Sequence, residues 1–249
     1  MVRVLRSSLL SAAGICHGFS TRHGGVSKGP FASLNLGVSW GDDPAAVAEN
    51  LRRLSQAAGF DAARLCQVVQ VHGSRVVLLA APQYRQQEAD GMATAERLTL
   101  GVLSADCVAI LLGDGQGRVA AVHAGWRGTV AGIAIKAVEA LQALGARPEA
   151  IRAALGPSIG PCCFEVAEEV AAMFRRLVPD AVLPGRRAGK YQVDLRCANK
   201  ALLLRAGLVP EHIDDHPPCT LCDPSSYFSY RRDGAPTGQH LAFITGGSA

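Results

Sequence analysis

Two short segments of this chain carry side chains that could do chemistry together. Asp106 and Cys107 lie next to each other between two apolar runs, and His123 ends the apolar run that follows. A thiol with a neighbouring carboxylate and an imidazole is expected of a metal site, or of a thiol nucleophile paired with its base. Both interpretations use Cys107 and His123, so the spacing alone leaves the choice open.

A second histidine has a comparable position. The alternating segment Leu65 to His72 predicts a strand that ends at His72, and residues 75–80 predict a further strand after a turn. Taken alone, a histidine is more often a satisfied core residue than a metal ligand. If His72 converges with Cys107 and His123, the three form an open site, because catalytic zinc takes three protein ligands and leaves a fourth position for water or substrate.

The carboxylate of Asp106 has two possible functions beside such a metal. It could orient a ligand, or it could move a proton during the reaction. A turn or capping carboxylate is an equally good interpretation, because Asp106 falls between predicted buried strands at 98–103 and 108–112. The tripeptide Ala89-Asp90-Gly91 predicts only a turn.

The cysteines of the chain predict reduced thiols. There are eight, an even number, but the chain is long and has no convincing export signal, so we expect a cytoplasmic protein without disulfides. Cys219 and Cys222 have Cys-x-x-Cys spacing, yet no second pair lies at zinc-ribbon spacing, so we expect structural thiols there. Cys162 and Cys163 follow a Gly-Pro-rich turn at a predicted helix start, where an anion could dock. Packing of small residues in a turn is the alternative for these two.

Composition and charge exclude some classes of partner. The net charge of +4 is spread thinly and only 5% of residues are aromatic, whereas a nucleic-acid-binding face needs basic and stacking side chains together. No run approaches the roughly 20 apolar residues of a membrane span. We therefore expect a soluble protein that binds neither nucleic acid nor membrane. Four arginines lie in glycine-rich or aromatic contexts and could bind phosphate or carboxylate groups: Arg22, Arg127, Arg231 and Arg232.

Helices and strands alternate along the chain without a linker, which favours one domain over residues 1–249. The first 16 residues predict an opening strand, and Asp43-Pro44 predicts the start of a helix that Gly59 ends. Two units follow, and each consists of a strand, a glycine-rich turn and a helix. The remaining predicted elements are strands at 118–123, 151–155, 191–195 and 241–244, and helices at 129–144, 165–177 and 196–206.

Several motifs together resemble the YfiH/YlmD laccase-domain family, and the resemblance covers nearly the whole chain in order. They are the segments 17–27 (HGFSTRHGGVS), 33–37 (SLNLG), 70–73 (QVHG), 105–107 (ADC), 123–128 (HAGWRG), 156–160 (GPSIG), 162–166 (CCFEV) and 228–232 (FSYRR). The chain departs from the family at Ala109, where a proline is common, and at Gln239, where an arginine is usual.

The resemblance implies a fold, a metal site and an activity. The implied fold is α+β, a single-domain layered αββα sandwich with mixed sheets, related to cytotoxic necrotizing factor. The implied metal ligands are His72, Cys107 and His123, with zinc expected and copper a less favoured alternative. The implied activity is that of a purine nucleoside phosphorylase acting on adenosine, inosine and methylthioadenosine with phosphate, with adenosine deamination as a side activity. We expect a monomer or weak homo-oligomer.

This activity assigns expected roles to further residues. We expect Asp106, Arg22 and Arg127 to be catalytic. Substrate binding is expected from residues of the glycine-rich segment and from later motifs: Ser20, Asn35, Cys162, Cys163 and Arg231. In this hypothesis Arg22 and the glycine-rich loop hold phosphate, while Asp106 assists proton movement near the leaving base.

Other activities use the same residues. A cysteine hydrolase, or a peptidoglycan-editing hydrolase, would use Cys107 as nucleophile and His123 as base. A copper polyphenol oxidase is disfavoured, because laccase chemistry needs a type-1 copper and a three-copper cluster, and hence about ten histidines. The chain has seven.

Overall fold

The computed structural model describes residues 1–247. The strands in this range are β1 Val4–Leu5, β2 His17–Ser20, β3 Leu65–Val69, β4 Val76–Leu78, β5 Tyr84–Glu88, β6 Gly91–Thr94, β7 Thr99–Ser104, β8 Val108–Gly113, β9 Val119–Ala124, β10 Arg152–Leu155, β11 Glu165–Ala167, β12 Val182–Pro184, β13 Lys190–Val193, β14 Ile213–Asp214 and β15 His240–Thr245. The helices are α1 Ser8–Ala12, α2 Pro44–Ala58, α3 Trp126–Val130, α4 Ile133–Ala143, α5 Glu168–Leu177, α6 Leu195–Arg205 and α7 Tyr230–Asp233.

The strands form two mixed six-stranded sheets and a small third sheet. The first sheet has the order β1-β2-β15-β7-β3-β5 and the second β14-β10-β8-β9-β6-β4, while β11-β13-β12 form the third. In the first sheet β15 is antiparallel to β2 and β7, whereas β3 runs parallel to β7 and β5. In the second sheet β8 is antiparallel to β9 and β10.

The two large sheets pack face to face and helices cover their outer faces. Successive side chains of a strand point to opposite faces, so the fully apolar strand β8 supplies two cores. Leu111 lies in the core between the sheets, and Ile110 lies in the core under α4, α5 and α6. On the other side, Leu54 of α2 packs with Phe243 of β15. These layers confirm the expected αββα sandwich.

Local sequence signals determine several element boundaries as predicted. The side chain of Asp43 accepts a hydrogen bond from the Ala45 amide at the start of α2, and Gly59 ends that helix in the left-handed conformation at φ +81°. Asp194 caps α6 by accepting from the amides of Arg196 and Cys197.

Several of the predicted elements were wrong in extent. The strand predicted from Leu65 to His72 ends at Val69, as β3. The predicted opening strand is only the two residues of β1, and α1 follows it. The predicted helix 129–144 is divided into α3 and α4, because Gly132 adopts φ +78°, which a right-handed helix does not contain. The predicted helix 165–177 begins only at Glu168, because residues 165–167 pair with β13 as β11.

The register of the second sheet brings two chemically active segments together. Val108 pairs with Ala124, and Ala109 pairs with His123, so the start of β8 lies beside the end of β9. The turn between β7 and β8, which contains Asp106 and Cys107, therefore lies next to His123. Among residues 1–247, no helix is long and apolar enough to cross a membrane.

Candidate metal and substrate site

Three side chains from distant parts of the chain converge at the ends of the strands. The ligand atoms of His72, Cys107 and His123 all lie within 4.8 Å of one another. The two imidazole rings have centroids 4.8 Å apart and meet nearly edge to face, at 86°. His123 is buried, Cys107 is half-buried and His72 is exposed, so the group opens toward solvent on the His72 side.

The backbone near these residues has local features that allow the convergence. His72 and Asp106 adopt left-handed conformations, with φ of +59° and +95°, which turn the chain sharply after β3 and β7. Gly125 leaves room for the group, because a Cβ atom there would lie 3.0 Å from Cys107 Sγ and 3.2 Å from His72 Cδ2. The close approach of these side chains therefore favours the glycine of the His-Ala-Gly-Trp motif.

Asp90 holds two of the three ligands in place. Its fully buried carboxylate accepts a hydrogen bond from His123 Nδ1 at 2.9 Å, and its Oδ1 also accepts from the His72 amide at 2.9 Å. Its Oδ2 accepts from the amides of Val71 and Gly73 at 3.1 and 2.6 Å. A carboxylate bonded to the second nitrogen of a ligating imidazole fixes the tautomer that presents Nε2 to a metal. This role of Asp90 was not predicted from the sequence, because Ala-Asp-Gly has the composition of a surface turn.

The charges of the group favour a thiolate. Burial raises the pKa of the Cys107 thiol, but the adjacent His123 and His72 imidazoles outweigh burial and lower that pKa to about 6. Burial lowers the pKa of His123, but Cys107 and Asp90 outweigh burial and raise that pKa to about 9. Cys107 therefore ionises readily, as both a metal ligand and a nucleophile require.

A cavity of about 570 Å³ opens directly over the three side chains. Trp40 and Tyr230 line it as a stacked pair, with ring centroids 5.7 Å apart and 29° between the ring planes. Three arginines also line the cavity: Arg85, Arg127 and Arg231. Arg127 and Arg231 were predicted from the sequence as anion-binding residues. Arg85 and Trp40 lie outside the motifs, and Tyr230 lies within the 228–232 motif but was not predicted to line a site.

Asp106 lies in the wall of this cavity with both carboxylate oxygens engaged. Oδ1 accepts from Thr220 Oγ1, and Oδ2 accepts from the Arg231 amide, each at 2.6 Å. The Asp106 carbonyl accepts from the Ile159 amide at 2.8 Å. Segments far apart in the chain thus hold this carboxylate beside Cys107.

The structure does not bring Arg22 to the cavity. Its guanidinium lies 4.6 Å from the centre of the Phe228 ring and donates to the carbonyls of Ala32 and Pro224. Its hydrogen bonds therefore connect loops of the protein, and it does not lie where a cavity ligand would bind.

Ser20 and Asn35 also lie outside the cavity lining. Ser20 Oγ accepts from the Leu241 amide within the sheet, and Asn35 Oδ1 accepts from the amides of Gly37 and Gln239. Both side chains are buried and satisfied within the protein. Gln239, in contrast, does line the cavity.

Cys162 and Cys163 are not part of the cavity wall either. They lie with Cys219 and Cys222 in a separate group whose sulfur atoms are all within 4.8 Å of one another. No second pair lies at zinc-ribbon spacing in the sequence, and the expectation that Cys219 and Cys222 are structural thiols stays a prediction. Cys162 and Cys163 lie 56 residues or more away along the chain, and only the fold brings them close.

Comparisons with known proteins agree with this architecture. The purine nucleoside phosphorylase YlmD of Geobacillus stearothermophilus is 40% identical over 255 residues, covering 96% of this chain and 93% of that protein. A purine nucleoside phosphorylase of Deinococcus radiodurans is 44% identical over 231 residues, covering 92% of this chain and 88% of that protein. The crystal structure of YlmD from Geobacillus stearothermophilus has a TM-score of 0.90 at 38% identity, covering 98% of this chain and 96% of that one.

A family model matches residues 16–246 and is described as multi-copper polyphenol oxidoreductase laccase. This range includes the three converging side chains and every cavity-lining residue named above. The chain therefore belongs to this laccase-like YfiH/YlmD family.

Proposed function

We propose that this chain is a metal-dependent purine nucleoside phosphorylase that acts on adenosine, inosine and methylthioadenosine. The observation that carries the proposal is the cavity itself, which has metal-binding side chains at its base, an aromatic pair on its wall and three arginines around it. The names of the relatives in Geobacillus stearothermophilus and Deinococcus radiodurans support the same reaction class.

The donor set fits zinc. One thiolate and two imidazoles are ligands that zinc takes in catalytic sites with an open fourth position, and the second nitrogen of His123 is already bonded to Asp90. A zinc ion bound by His72, Cys107 and His123 would supply Lewis-acid chemistry next to the substrate. The other group of metal-binding side chains in residues 1–247 contains only cysteines, so the described part of the chain offers no histidine cluster for a three-copper centre.

The walls of the cavity match the two parts of the reaction's substrates. A purine ring is flat and polarisable, and Trp40 with Tyr230 offers aromatic faces on which it can stack. Arg127 lies 4.4 Å from the centre of the Trp126 ring, and no hydrogen bond within residues 1–247 engages its guanidinium. In the proposal Arg127 therefore binds phosphate, as a guanidinium fork binds such oxygens. Arg231 assists it and is held by the Glu165 carbonyl at 3.1 Å.

Asp106 is the proposed proton carrier. The hydrogen bonds from Thr220 and the Arg231 amide hold its carboxylate in one orientation, and each oxygen keeps a second lone pair for a substrate group. In phosphorolysis a phosphate oxygen forms a bond to C1′ of the ribose while the C1′–N9 bond of the purine breaks. Asp106 accepts the proton that the attacking hydrogen phosphate loses and passes it to the departing base, so the products are the free purine and ribose 1-phosphate.

The test is a product analysis with matched variants. The purified protein is incubated with adenosine with and without phosphate, and adenine, ribose 1-phosphate and inosine are measured. We expect phosphate-dependent adenine and ribose 1-phosphate, with inosine as a minor product of deamination. Asp106→Asn and His72→Ala should each lower the rate by about 100-fold or more. Arg22→Lys should retain the rate, because Arg22 bonds to protein carbonyls. Absence of both adenine and inosine would refute the proposal.

A cysteine hydrolase is the second candidate, because Cys107, His123 and Asp90 form a thiol, imidazole and carboxylate series. His123 Nδ1 lies 2.9 Å from Asp90, and the lowered pKa of Cys107 supports a reactive thiolate. Zinc analysis and alkylation distinguish the two proposals. A protein that contains no metal at this group, and whose Cys107 is alkylated rapidly, would favour the hydrolase.

A further inference from the structure

A second group of side chains has the composition of a metal site and lies outside the cavity. It consists of two pairs of cysteines that lie side by side in the fold, Cys162 with Cys163 and Cys219 with Cys222. We refer to it as the four-cysteine cluster. All four sulfur atoms lie within 4.8 Å of one another. Neither the reaction proposed above nor the cavity uses these residues.

The distances within the cluster match a shared metal better than a disulfide. Cys222 Sγ lies 3.6 Å from Cys162 Sγ and 3.4 Å from Cys163 Sγ, and all four cysteines are free thiols. A disulfide needs sulfurs about 2.05 Å apart. In a tetrahedron with zinc–sulfur bonds of about 2.3 Å, the sulfurs are separated by about 3.8 Å. The sulfurs therefore already have nearly the spacing of a tetrathiolate zinc site.

The two loops that carry the cysteines are held together without the sulfurs. Ser158 and Cys219 form an isolated parallel bridge, in which the Ser158 amide donates to the Pro218 carbonyl and the Thr220 amide donates to the Ser158 carbonyl. The Arg196 guanidinium donates to the carbonyls of both Ser158 and Pro218, at 2.7 and 2.9 Å. The fold thus orders the donor atoms in advance, which lowers the entropic cost of binding a metal.

A backbone amide and a glycine lie close to the sulfurs. The Gly160 amide donates to Cys219 Sγ at 3.2 Å, and a Cβ atom at Gly160 would lie 3.2 Å from Cys162 Sγ. Gly160 thus brings a backbone donor close to the sulfurs, where a larger residue would crowd them. Cys162 and Cys222 are exposed, so a metal ion can reach the cluster from solvent.

We propose that Cys162, Cys163, Cys219 and Cys222 bind one zinc ion in a closed tetrathiolate site. Four protein ligands leave no open position, so this ion is structural, in contrast to an ion bound by the three side chains in the cavity. Zinc is the expected occupant because it takes four thiolates tetrahedrally and has no redox chemistry of its own.

The proposed site would stabilise one wall of the cavity. Thr220 lies between Cys219 and Cys222, and it donates to the Asp106 carboxylate at 2.6 Å. Ile159, three residues before Cys162, donates its amide to the Asp106 carbonyl. The zinc ion would therefore restrain both loops that position Asp106. The metal proposal stands independently of the proposed phosphorylase reaction.

Metal counting tests the proposal on the full chain, purified under reducing conditions. We expect two zinc ions per chain in the wild type and one in the Cys219→Ser/Cys222→Ser variant. The matched control is Cys16→Ser, which replaces a half-buried cysteine outside both groups and should keep two. The His72→Ala/His123→Ala variant should keep one, and its cobalt derivative should show the intense sulfur-to-cobalt absorption of four thiolates.

If the Cys219→Ser/Cys222→Ser variant does not fold, a variant that replaces one metal ligand with another tests the proposal instead. Cys222→His keeps a donor atom, so this variant should still bind cobalt, with weaker sulfur-to-cobalt absorption because one thiolate is lost. Three results would overturn the proposal: a folded Cys219→Ser/Cys222→Ser variant that keeps the wild-type zinc content, no thiolate absorption in the His72→Ala/His123→Ala variant, or a disulfide among the four cysteines in protein purified without air. None of these readouts depends on nucleoside turnover.

Discussion

Replacing Asp90 with asparagine tests whether a single buried carboxylate organises the cavity metal site. Its two oxygens accept four hydrogen bonds, from the amides of Val71, His72 and Gly73 and from His123 Nδ1. Asparagine has nearly the same shape, but only one of its two terminal atoms accepts. In Asp90→Asn, whichever way the amide is turned, two of the four donors face an NH2 group.

The expected losses of stability and of zinc affinity follow from these contacts. A buried donor left without an acceptor costs about 1–3 kcal/mol, so two such donors lower the free energy of unfolding by about 2–6 kcal/mol. For a chain of this size, this corresponds to a fall in Tm of about 5–20 °C. Losing the carboxylate that orients His123 should also weaken zinc binding about 10–100-fold.

The assay needs two measurements and a matched control. Stability is measured by urea unfolding, and zinc affinity by competition with a chelator in the Cys219→Ser/Cys222→Ser background, where only the cavity group is expected to bind. The control is Asp114→Asn. Asp114 is also buried and accepts from the amides of Gln116 and Arg118 and from the Arg118 guanidinium, but it does not line the cavity.

We expect Asp114→Asn to lose stability and keep zinc affinity, and Asp90→Asn to lose both. If Asp90→Asn binds zinc as tightly as its parent, the carboxylate does not orient His123 for a metal. If the free energy of unfolding of Asp90→Asn is also unchanged, the four hydrogen bonds to Asp90 do not stabilise the fold.

Three further perturbations test other parts of the site. Gly125→Ala places a Cβ 3.0 Å from Cys107 Sγ, which has to shift to relieve the contact, so it should weaken zinc binding in the cavity while circular dichroism stays native; unchanged zinc affinity would contradict the packing. Trp40→Ala removes half of the stacked pair with Tyr230, and steady-state kinetics should show KM for adenosine raised about tenfold, with kcat little changed, if stacking contributes about 1–3 kcal/mol. Burial lowers the pKa of His240 to about 3. Below pH 6.5 the unfolded chain therefore binds a proton at this residue, whereas the native chain does not. Stability should therefore fall with pH from 6.5 towards 3 by up to about 1.4 kcal/mol per unit, and urea unfolding at pH 7 and 5 should show a flatter dependence for His240→Asn.

Local patterns predicted the elements that are governed by neighbouring residues. The cap at Asp43 and the stop at Gly59 bound α2 as expected, since capping and left-handed glycine act over one helical turn. The ends of β8 and β9 were also predicted closely, because buried strands require apolar runs. That the whole chain acts as one catalytic domain stays a prediction.

From the sequence alone, His72, Cys107 and His123 could be placed near the ends of strands, and the family resemblance joined them into one predicted site. Only the tertiary structure decided which other side chains meet them. Asp90 is 33 residues from His123, and Cys222 is 59 residues from Cys163. Neither partnership has a signal in local composition, because it arises from strand register and loop packing between segments far apart in the chain. For the same reason, the sequence could not show that Arg85 lines the cavity and that Arg22 does not.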